Sequence, residues 1–243
     1  MRLDAMLTQK GYCKSRTKAA EAIREGKVKI DGRIVDKPSC RVSGGETVQI
    51  DSDGFYVSRS AMKLKRYLES FPIEIEGAVA LDIGSSTGGF TQVLLEYGVG
   101  SVDAVDVGRD QMDKELSKDK KINLYESTDI RDFISKKRYD LIVSDVSFIS
   151  LSLIIPSIDR LSGSDTDIIL LFKPQFEVGP DARRDSRGVV MDSSAISLAM
   201  ERFESDIAAI GWSMIRKVPS QLKGKSGNQE YIYHLVGKDG CDG

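Results

Sequence analysis

The chain of 243 residues is 40% hydrophobic and 30% charged, with a formal net charge of −2, the balance of a globular protein with enough apolar residues for a real core. No apolar run approaches the about 20 residues of a membrane span, and Met1-Arg2-Leu3-Asp4 does not read as a signal peptide, so a membrane protein is not expected. Cys13, Cys40 and Cys241 are too scattered for a disulfide framework or a metal knuckle, and the single histidine, His234, speaks against a zinc site or a Ser/His/Asp triad; the expectation is a reduced, cytoplasmic protein without metal.

The front of the chain reads as a small α+β unit. Met1–Gln9 predicts a short helix, and Ser15 caps a second over Arg16–Arg24, with Gly26 just past its end. Lys27–Ile30 and Arg33–Val35 flank Asp31-Gly32, a hairpin signal, and Thr47–Ile50 predicts a third strand. Residues 1–50 hold 11 Lys and Arg against 6 Asp and Glu. A basic front on an acidic body points to a polyanionic partner, the alternative being a solvated basic face. Asp51-Ser52-Asp53-Gly54 reads as a polar turn and linker.

Beyond it a helix is predicted from Ser60 to Ser70, and strands and helices then alternate. The predicted strands are Ala78–Ile83, Ser101–Val107, Asn123–Glu126, Leu141–Asp145 and Ile168–Phe172. The predicted helices are Thr91–Tyr97, Gln111–Lys118, Ile130–Ser135, Leu151–Leu161 and Ser193–Ile210. Two last strands, Ser213–Pro219 and Tyr231–Val236, surround the loop Gln221–Glu230. Such alternation predicts an α/β, Rossmann-like parallel sheet with helices on both faces. The terminal hairpin suits the methyltransferase variant better than the dehydrogenase one.

The chemistry centres on Val79-Ala80-Leu81-Asp82-Ile83-Gly84-Ser85-Ser86-Thr87-Gly88-Gly89-Phe90, an apolar strand that runs through an acid into a glycine-rich turn. The dinucleotide fingerprint G-x-G-x-x-G is not met, because Ser86 stands at its second glycine. S-adenosylmethionine carries no pyrophosphate and does not need that close approach. Asp82 is placed to meet the positive end of its methionine, and Asp106, about 20 residues beyond Gly84, its ribose hydroxyls. The alternative is an ordinary βα turn. Asp145 and Lys173 end two further strands and should face the same cleft, where a desolvated Lys173 can serve as a base.

These residues resemble a family. Lys63, Asp145, Lys173 and Glu230, in this order, look like the Lys-Asp-Lys-Glu tetrad of FtsJ-like ribose 2′-O-methyltransferases. Residues 1–50 are similar to an S-four-type RNA-binding domain, through Arg2-Leu3-Asp4, Gly11, Ser15-Arg16, Ala19, Ile23, Gly26, Val28, Asp31-Gly32, Val35 and Lys37-Pro38-Ser39. With Ser144-Asp145-Val146-Ser147-Phe148-Ile149-Ser150 and Phe172-Lys173-Pro174-Gln175-Phe176-Glu177, nearly the whole chain resembles the TlyA family, often named hemolysins. The resemblance implies an S-four-type domain over 1–54, a linker over 55–59 and an FtsJ-like methyltransferase domain over 60–243. It implies methylation of a cytidine 2′-hydroxyl in ribosomal RNA or a ribosomal subunit, with no metal and no membrane.

The implied catalytic set is Lys63, Asp145, Lys173 and Glu230: Lys173 takes the hydroxyl proton or stabilises the alkoxide, Asp145 and Glu230 orient the lysines, and Lys63 steadies the hydroxyl. The cofactor set is Asp82, Gly84, Ser85, Gly88, Gly89, Phe90, Asp106, Asp129 and Asp145, for S-adenosyl-L-methionine. Arg2, Lys14, Arg16, Lys18, Arg24, Lys27 and Lys29 are assigned to RNA phosphates, with Arg183, Arg184 and Arg187 of the loop Val178–Val190 as a clamp. Some family members carry Arg-x-Trp-Val in the linker, where this chain has Phe55-Tyr56-Val57-Ser58-Arg59 without tryptophan. A non-enzymatic RNA-binding assembly factor, a membrane-active hemolysin and a dinucleotide-dependent oxidoreductase are the competing readings. The oligomeric state, the nucleotide and the subunit stay open.

Overall fold

A computed structural model describes residues 1–13, 15–50 and 56–238; Lys14, the predicted turn Asp51–Gly54, Phe55 and Cys241 lie outside the described residues. The chain divides into two compact units, Met1–Tyr56 and Val57–Gly243.

The first unit has helices α1 (Leu3–Gln9) and α2 (Arg16–Arg24) and strands β1 (Val28–Ile30), β2 (Arg33–Ile34) and β3 (Val48–Ile50). The strands form a three-stranded antiparallel sheet in the order β2-β1-β3. Leu3, Leu7, Ala19, Ile23 and Val28 are fully buried between helices and sheet. Ser15 accepts a bond from the Lys18 amide at 3.2 Å and so caps α2. Ser15→Ala should cost about 1 kcal/mol, read as faster hydrogen exchange in the first turn of α2.

The second unit begins with α3 (Ala61–Ser70) and continues with β4 (Val79–Ile83), α4 (Gly89–Glu96), β5 (Ser101–Val105), β6 (Ile122–Tyr125), β7 (Leu141–Ser144), α5 (Ile155–Leu161), β8 (Asp167–Phe172), α6 (Pro174–Glu177), α7 (Ser193–Ile210), β9 (Ser213–Pro219) and β10 (Tyr231–Val236). Its seven-stranded sheet has the order β6-β5-β4-β7-β8-β10-β9. Neighbours from β6 to β8 are parallel; β10 is antiparallel to both β8 and β9 and alone runs the other way.

Alternation along the strands sends successive side chains to opposite faces. Leu81, Ile142, Leu170, Tyr233 and Leu235 pack with Ile158 of α5 and Phe203 and Ile207 of α7. The opposite face carries Asp82, bonded to Thr91 of α4, and His234, bonded to Tyr67 of α3. Both faces are therefore covered. No helix among the described residues is long and apolar enough to cross a membrane.

Three predicted helices are corrected. Of Gln111–Lys118 only a 3-10 turn, Leu116–Lys118, is helical. The Asp113 carboxylate accepts from the Glu115 and Leu116 amides, competing with the helical ladder. Ile130–Ser135 is a single turn closed on Asp129, whose carbonyl takes the Asp132 and Phe133 amides; so short a segment cannot recover the cost of nucleation. Leu151–Leu161 divides into a 3-10 turn, Leu151–Leu153, and α5, with Pro156 in its first turn where a missing N–H does no harm.

Candidate active site

The chain leaves β4 for β5 on one side and later returns to place β7 on the other, so a crevice opens at the carboxyl ends of β4 and β7. Asp82 lies near the end of β4; Asp106, Asp145 and Lys173 directly follow β5, β7 and β8. Glu230 directly precedes β10, and because β10 is antiparallel it reaches the same edge. Five ionisable residues scattered through the sequence are thus delivered to one rim.

The glycine loop crosses this rim in a left-handed course, with φ of +79° at Gly84, +47° at Ser86 and +93° at Gly88. A Cβ at Gly88 would strike Leu116 and Met112, and one at Gly89 would strike Ser58 and Ser60. Asp106 fixes the loop by accepting from the Ser86 amide at 2.8 Å and the Gly108 amide at 2.6 Å.

Asp82 is fully buried and accepts from the Thr91 hydroxyl at 2.5 Å, while its Oδ1 has no donor. Burial pushes its carboxyl up to about 7; the Thr91 bond opposes this, and the carboxylates of Asp145 and Asp106 add to it. Ser85 Oγ and Ser144 Oγ are likewise buried and unpartnered. Unsatisfied buried polar atoms are costly, and three of them around one rim suit a polar ligand.

Beside the loop stand two buried ion pairs. Lys173 Nζ lies 2.6 Å from Asp145 Oδ1, with side chains 7% and 13% exposed. It also donates to the Asp145 carbonyl at 3.2 Å and to Ser147 Oγ at 2.8 Å. Lys63 Nζ lies 2.5 Å from Glu230 Oε2, with side chains 11% and 3% exposed. Gln175 Nε2 donates to the other Glu230 oxygen at 3.2 Å. Lys173 is buried, and Asp145 stands directly against it.

Two cavities adjoin the Lys173–Asp145 pair; Lys63 and Glu230 line neither. The larger, about 370 Å³, is lined by Asp106, Gln111, Asp129, the apolar Ile83, Val105, Ile130 and Ile154, and Phe148. The smaller, about 150 Å³, is lined by Ser58, Ser60, Ser85, Thr87, Phe90 and Lys173. Gly84, Ser86, Asp145 and Ser147 line both. A mixed apolar and acidic chamber leading to a hydroxyl-rich one fits a nucleoside joined to a zwitterion. Arg131 holds the Asp129 carboxyl below its ordinary range by bonding it.

Ser58, Ser60, Ser147, Gln175 and Phe148 were not singled out from sequence. Phe148 is 91% exposed, sits at φ +65° and packs on Phe176 with ring centroids 5.0 Å apart. An exposed aromatic in left-handed backbone is uncommon.

Most cations of the predicted RNA set have local partners. Arg2 and Arg16 both pair with Asp4, which Arg2 chiefly holds down to about 2. Lys18 pairs with Glu21 and Lys27 with Glu25. Arg24 is exposed at the end of α2, Lys29 lies in β1, and Lys14 is outside the described residues. In the loop after α6, Arg184 folds back on the carbonyls of Gly179, Pro180 and Ala182, Arg187 pairs with Asp185, and Arg183 is exposed.

Residues 56–236 match the FtsJ-like methyltransferase family, and residues 1–48 match the S4 domain. The chain is 49% identical over 181 residues, 74% of its length, to the 23S rRNA (cytidine-2′-O)-methyltransferase TlyA of Campylobacter jejuni, of which 71% is covered. It is 41% identical over 239 residues, 96% of its length, to the 16S/23S rRNA (cytidine-2′-O)-methyltransferase TlyA of Mycobacterium tuberculosis, of which 89% is covered. A solved structure from Streptococcus thermophilus, called a hemolysin, superposes with a TM-score of 0.73 at 31% identity, covering 98% of this chain and 89% of that one. With a methyltransferase sheet behind an S4 domain, and with relatives this similar over most of their length, the chain belongs to the TlyA family of FtsJ-like methyltransferases.

Proposed function

We propose that this enzyme transfers a methyl group from S-adenosyl-L-methionine to a ribose 2′-hydroxyl, that of a cytidine in ribosomal RNA. The observation that carries the reading is the pair of buried lysine–carboxylate contacts, Lys173–Asp145 and Lys63–Glu230, beside the double cavity. The names of the Campylobacter and Mycobacterium relatives supply the nucleotide and the RNA. By this reading the enzyme acts in the cytoplasm, where ribosomes are.

When bound, S-adenosylmethionine supplies an electrophilic methyl on a sulfonium. The larger cavity takes the adenosine, with Asp106 toward the ribose hydroxyls and Asp129 and the apolar wall toward the base. The smaller cavity takes the methionine end. Ser58, Ser60 and the N-terminus of α4, at Gly88 and Gly89, suit its carboxylate. Asp82 and Ser85, with their unpartnered oxygens, suit its ammonium.

The ribose hydroxyl is a weak nucleophile near neutral pH. Two of the three atoms around Lys173 Nζ belong to Asp145, which fixes where that nitrogen points. Lys173 takes the hydroxyl proton as the methyl is transferred, or stabilises the forming alkoxide while that proton passes to solvent. Ser147 Oγ is a neutral hydrogen-bond partner of Lys173 Nζ, one that a substrate hydroxyl would replace. Asp145 and Glu230 aim the two lysines, and Lys63 steadies the hydroxyl from α3. Most of the rate comes from holding the reactants together. Phe148 offers a face on which an extruded base can stack. By this reading residues 1–54 form the RNA-binding domain, 55–59 the linker and 60–243 the methyltransferase domain, with Arg24 and Arg183 exposed toward phosphates.

The direct test is tritium transfer from labelled cofactor to ribosomal subunits lacking the modification, with the label located on the ribose. Label on a base, or cofactor binding without transfer to either subunit, would overturn the reading.

Asp82 gives a second expected result. Its raised carboxyl keeps a proton that an unfolded aspartate has lost, so its contribution to the stability of the free enzyme is present near pH 4 and lost as pH rises through about 7. A cationic ligand requires the carboxylate. Cofactor binding at pH 6 should release a proton, and affinity should fall by up to about tenfold per pH unit below pH 7. Calorimetry in two buffers of different ionisation enthalpy measures this; Asp82→Asn should abolish the release.

A further inference from the structure

On the face of the sheet that carries α3, a buried polar chain runs behind the tetrad. Tyr67 Oη lies 2.8 Å from His234 Nδ1, and His234 Nε2 lies 2.8 Å from Asp167 Oδ1. Tyr67 and His234 are 3% and 4% exposed. The direction of the bonds follows from chemistry. Burial pushes the Tyr67 hydroxyl up to about 12, so it keeps its proton, and its oxygen also meets the Arg216 guanidinium, which can only donate. The Tyr67 proton is therefore directed to Nδ1, and Nε2 carries the ring proton toward Asp167.

The placement of this chain matters more than its existence. It joins α3, β10 and β8, the same three elements that deliver Lys63, Glu230 and Lys173 to the rim. Lys63 and Tyr67 are four apart on α3 and share a face. Glu230 and His234 are four apart along β10, and Asp167 and Lys173 six apart along β8, even spacings that also keep one face. The register pairs His234 with Ile169 and Ile232 with Leu171. Those three aliphatic residues are almost fully buried and fill the space between the two polar ends. Apolar packing of Leu64 and Leu68 seats α3 but is non-directional, and sets its rotation less sharply than polar contacts do. Held at Lys63 and again one turn later at Tyr67, the helix has a fixed rotation on β10.

We propose that Tyr67, His234 and Asp167 form a positioning relay that fixes the roll of α3 and thereby aims Lys63 at Glu230 and the substrate hydroxyl. None of the three touches a reacting atom. The inference rests on the catalytic assignment of Lys63 made above. Aim is worth much in such a site, because a displacement of about 1 Å can cost about a hundredfold in rate. A buried polar chain that only satisfied its own hydrogen bonds would affect stability and leave the rate alone.

The test is a double-mutant cycle on single-turnover methyl transfer. Tyr67→Phe removes one hydroxyl from a ring that stays in place. It should lower kcat about tenfold and leave KM for cofactor and RNA within about twofold. In a Lys63→Ala background the same change should have almost no further effect. Asp167→Asn, which leaves α3 untouched, should reproduce the loss. Equal losses in both backgrounds, or no loss of kcat from Tyr67→Phe, would overturn the proposal. The ¹⁵Nζ resonance of Lys63 in lysine-labelled protein gives a readout independent of activity. Tyr67→Phe should shift it; an unchanged resonance overturns the relay. Should the wild type transfer no methyl group while this resonance still shifts, it is the catalytic reading that fails and the positioning that stands.

Discussion

Lys173→Ala should lower methyl transfer by about a thousandfold or more while cofactor affinity stays within a few-fold. Nζ lies between Asp145 and Ser147 at the shared wall of the two cavities, so removing it deletes the cation nearest the nucleophile and leaves the adenosine chamber intact. It also leaves a half-buried Asp145 carboxylate without its partner, which costs stability, so a thermal melt must accompany the rate. Lys173→Arg separates the two roles open to this residue. Arginine keeps the ion pair but cannot give up its proton. Activity within about a hundredfold of wild type would mean that Lys173 works as a cation; a loss as deep as that of alanine would mean that it works as a base. Label transfer to ribosomal subunits under single-turnover conditions measures both. Unchanged transfer in Lys173→Ala would remove Lys173 from the chemistry.

What could be read without coordinates was what is local. Helix α7 was placed to the residue, because its ends are written into the chain: Asp192 accepts from the Ala195 amide, and Gly211 closes the helix at φ +92°. The glycine loop and the acids that end β4, β5 and β7 were legible for the same reason, as apolar runs that stop at a polar residue. Lys63 and Glu230 were not legible from spacing. Their pairing joins residues 167 apart, and only the family resemblance drew attention to them. Ser58 and Ser60 escaped notice because a serine in a loop carries no pattern, and Ser147 was quoted only within a longer segment, without a role; the cavity walls single them out. Two of the three corrected helices share one feature. Asp113 and Asp129 bond to nearby amides and close turns, a competition that hydrophobic periodicity does not register.

Gly84→Ala should damage both the stability and the activity of the methyltransferase unit. Two costs meet there. The backbone has φ +79°, which an L side chain tolerates poorly. The new Cβ would also lie 3.2 Å from the backbone N and Cα of Val146 and 3.0 Å from its Cγ1. A long side chain can swing aside, but a neighbouring backbone cannot, and Val146 directly follows Asp145. Relief of the contact must therefore move the carboxylate that holds Lys173. The expected result is a loss of about 1–3 kcal/mol in stability together with about a hundredfold in kcat/KM. Gly77 separates strain from crowding. It has φ +77° with nothing within 4 Å of a Cβ, so Gly77→Ala should bear the backbone strain alone, about 1 kcal/mol, and keep full activity. Thermal melts and methyl-transfer kinetics on the two variants decide the matter. If Gly84→Ala falls in stability no further than Gly77→Ala and keeps its kcat/KM, then β7 does not crowd the glycine loop, and the coupling between loop and lysine drawn from this contact is wrong.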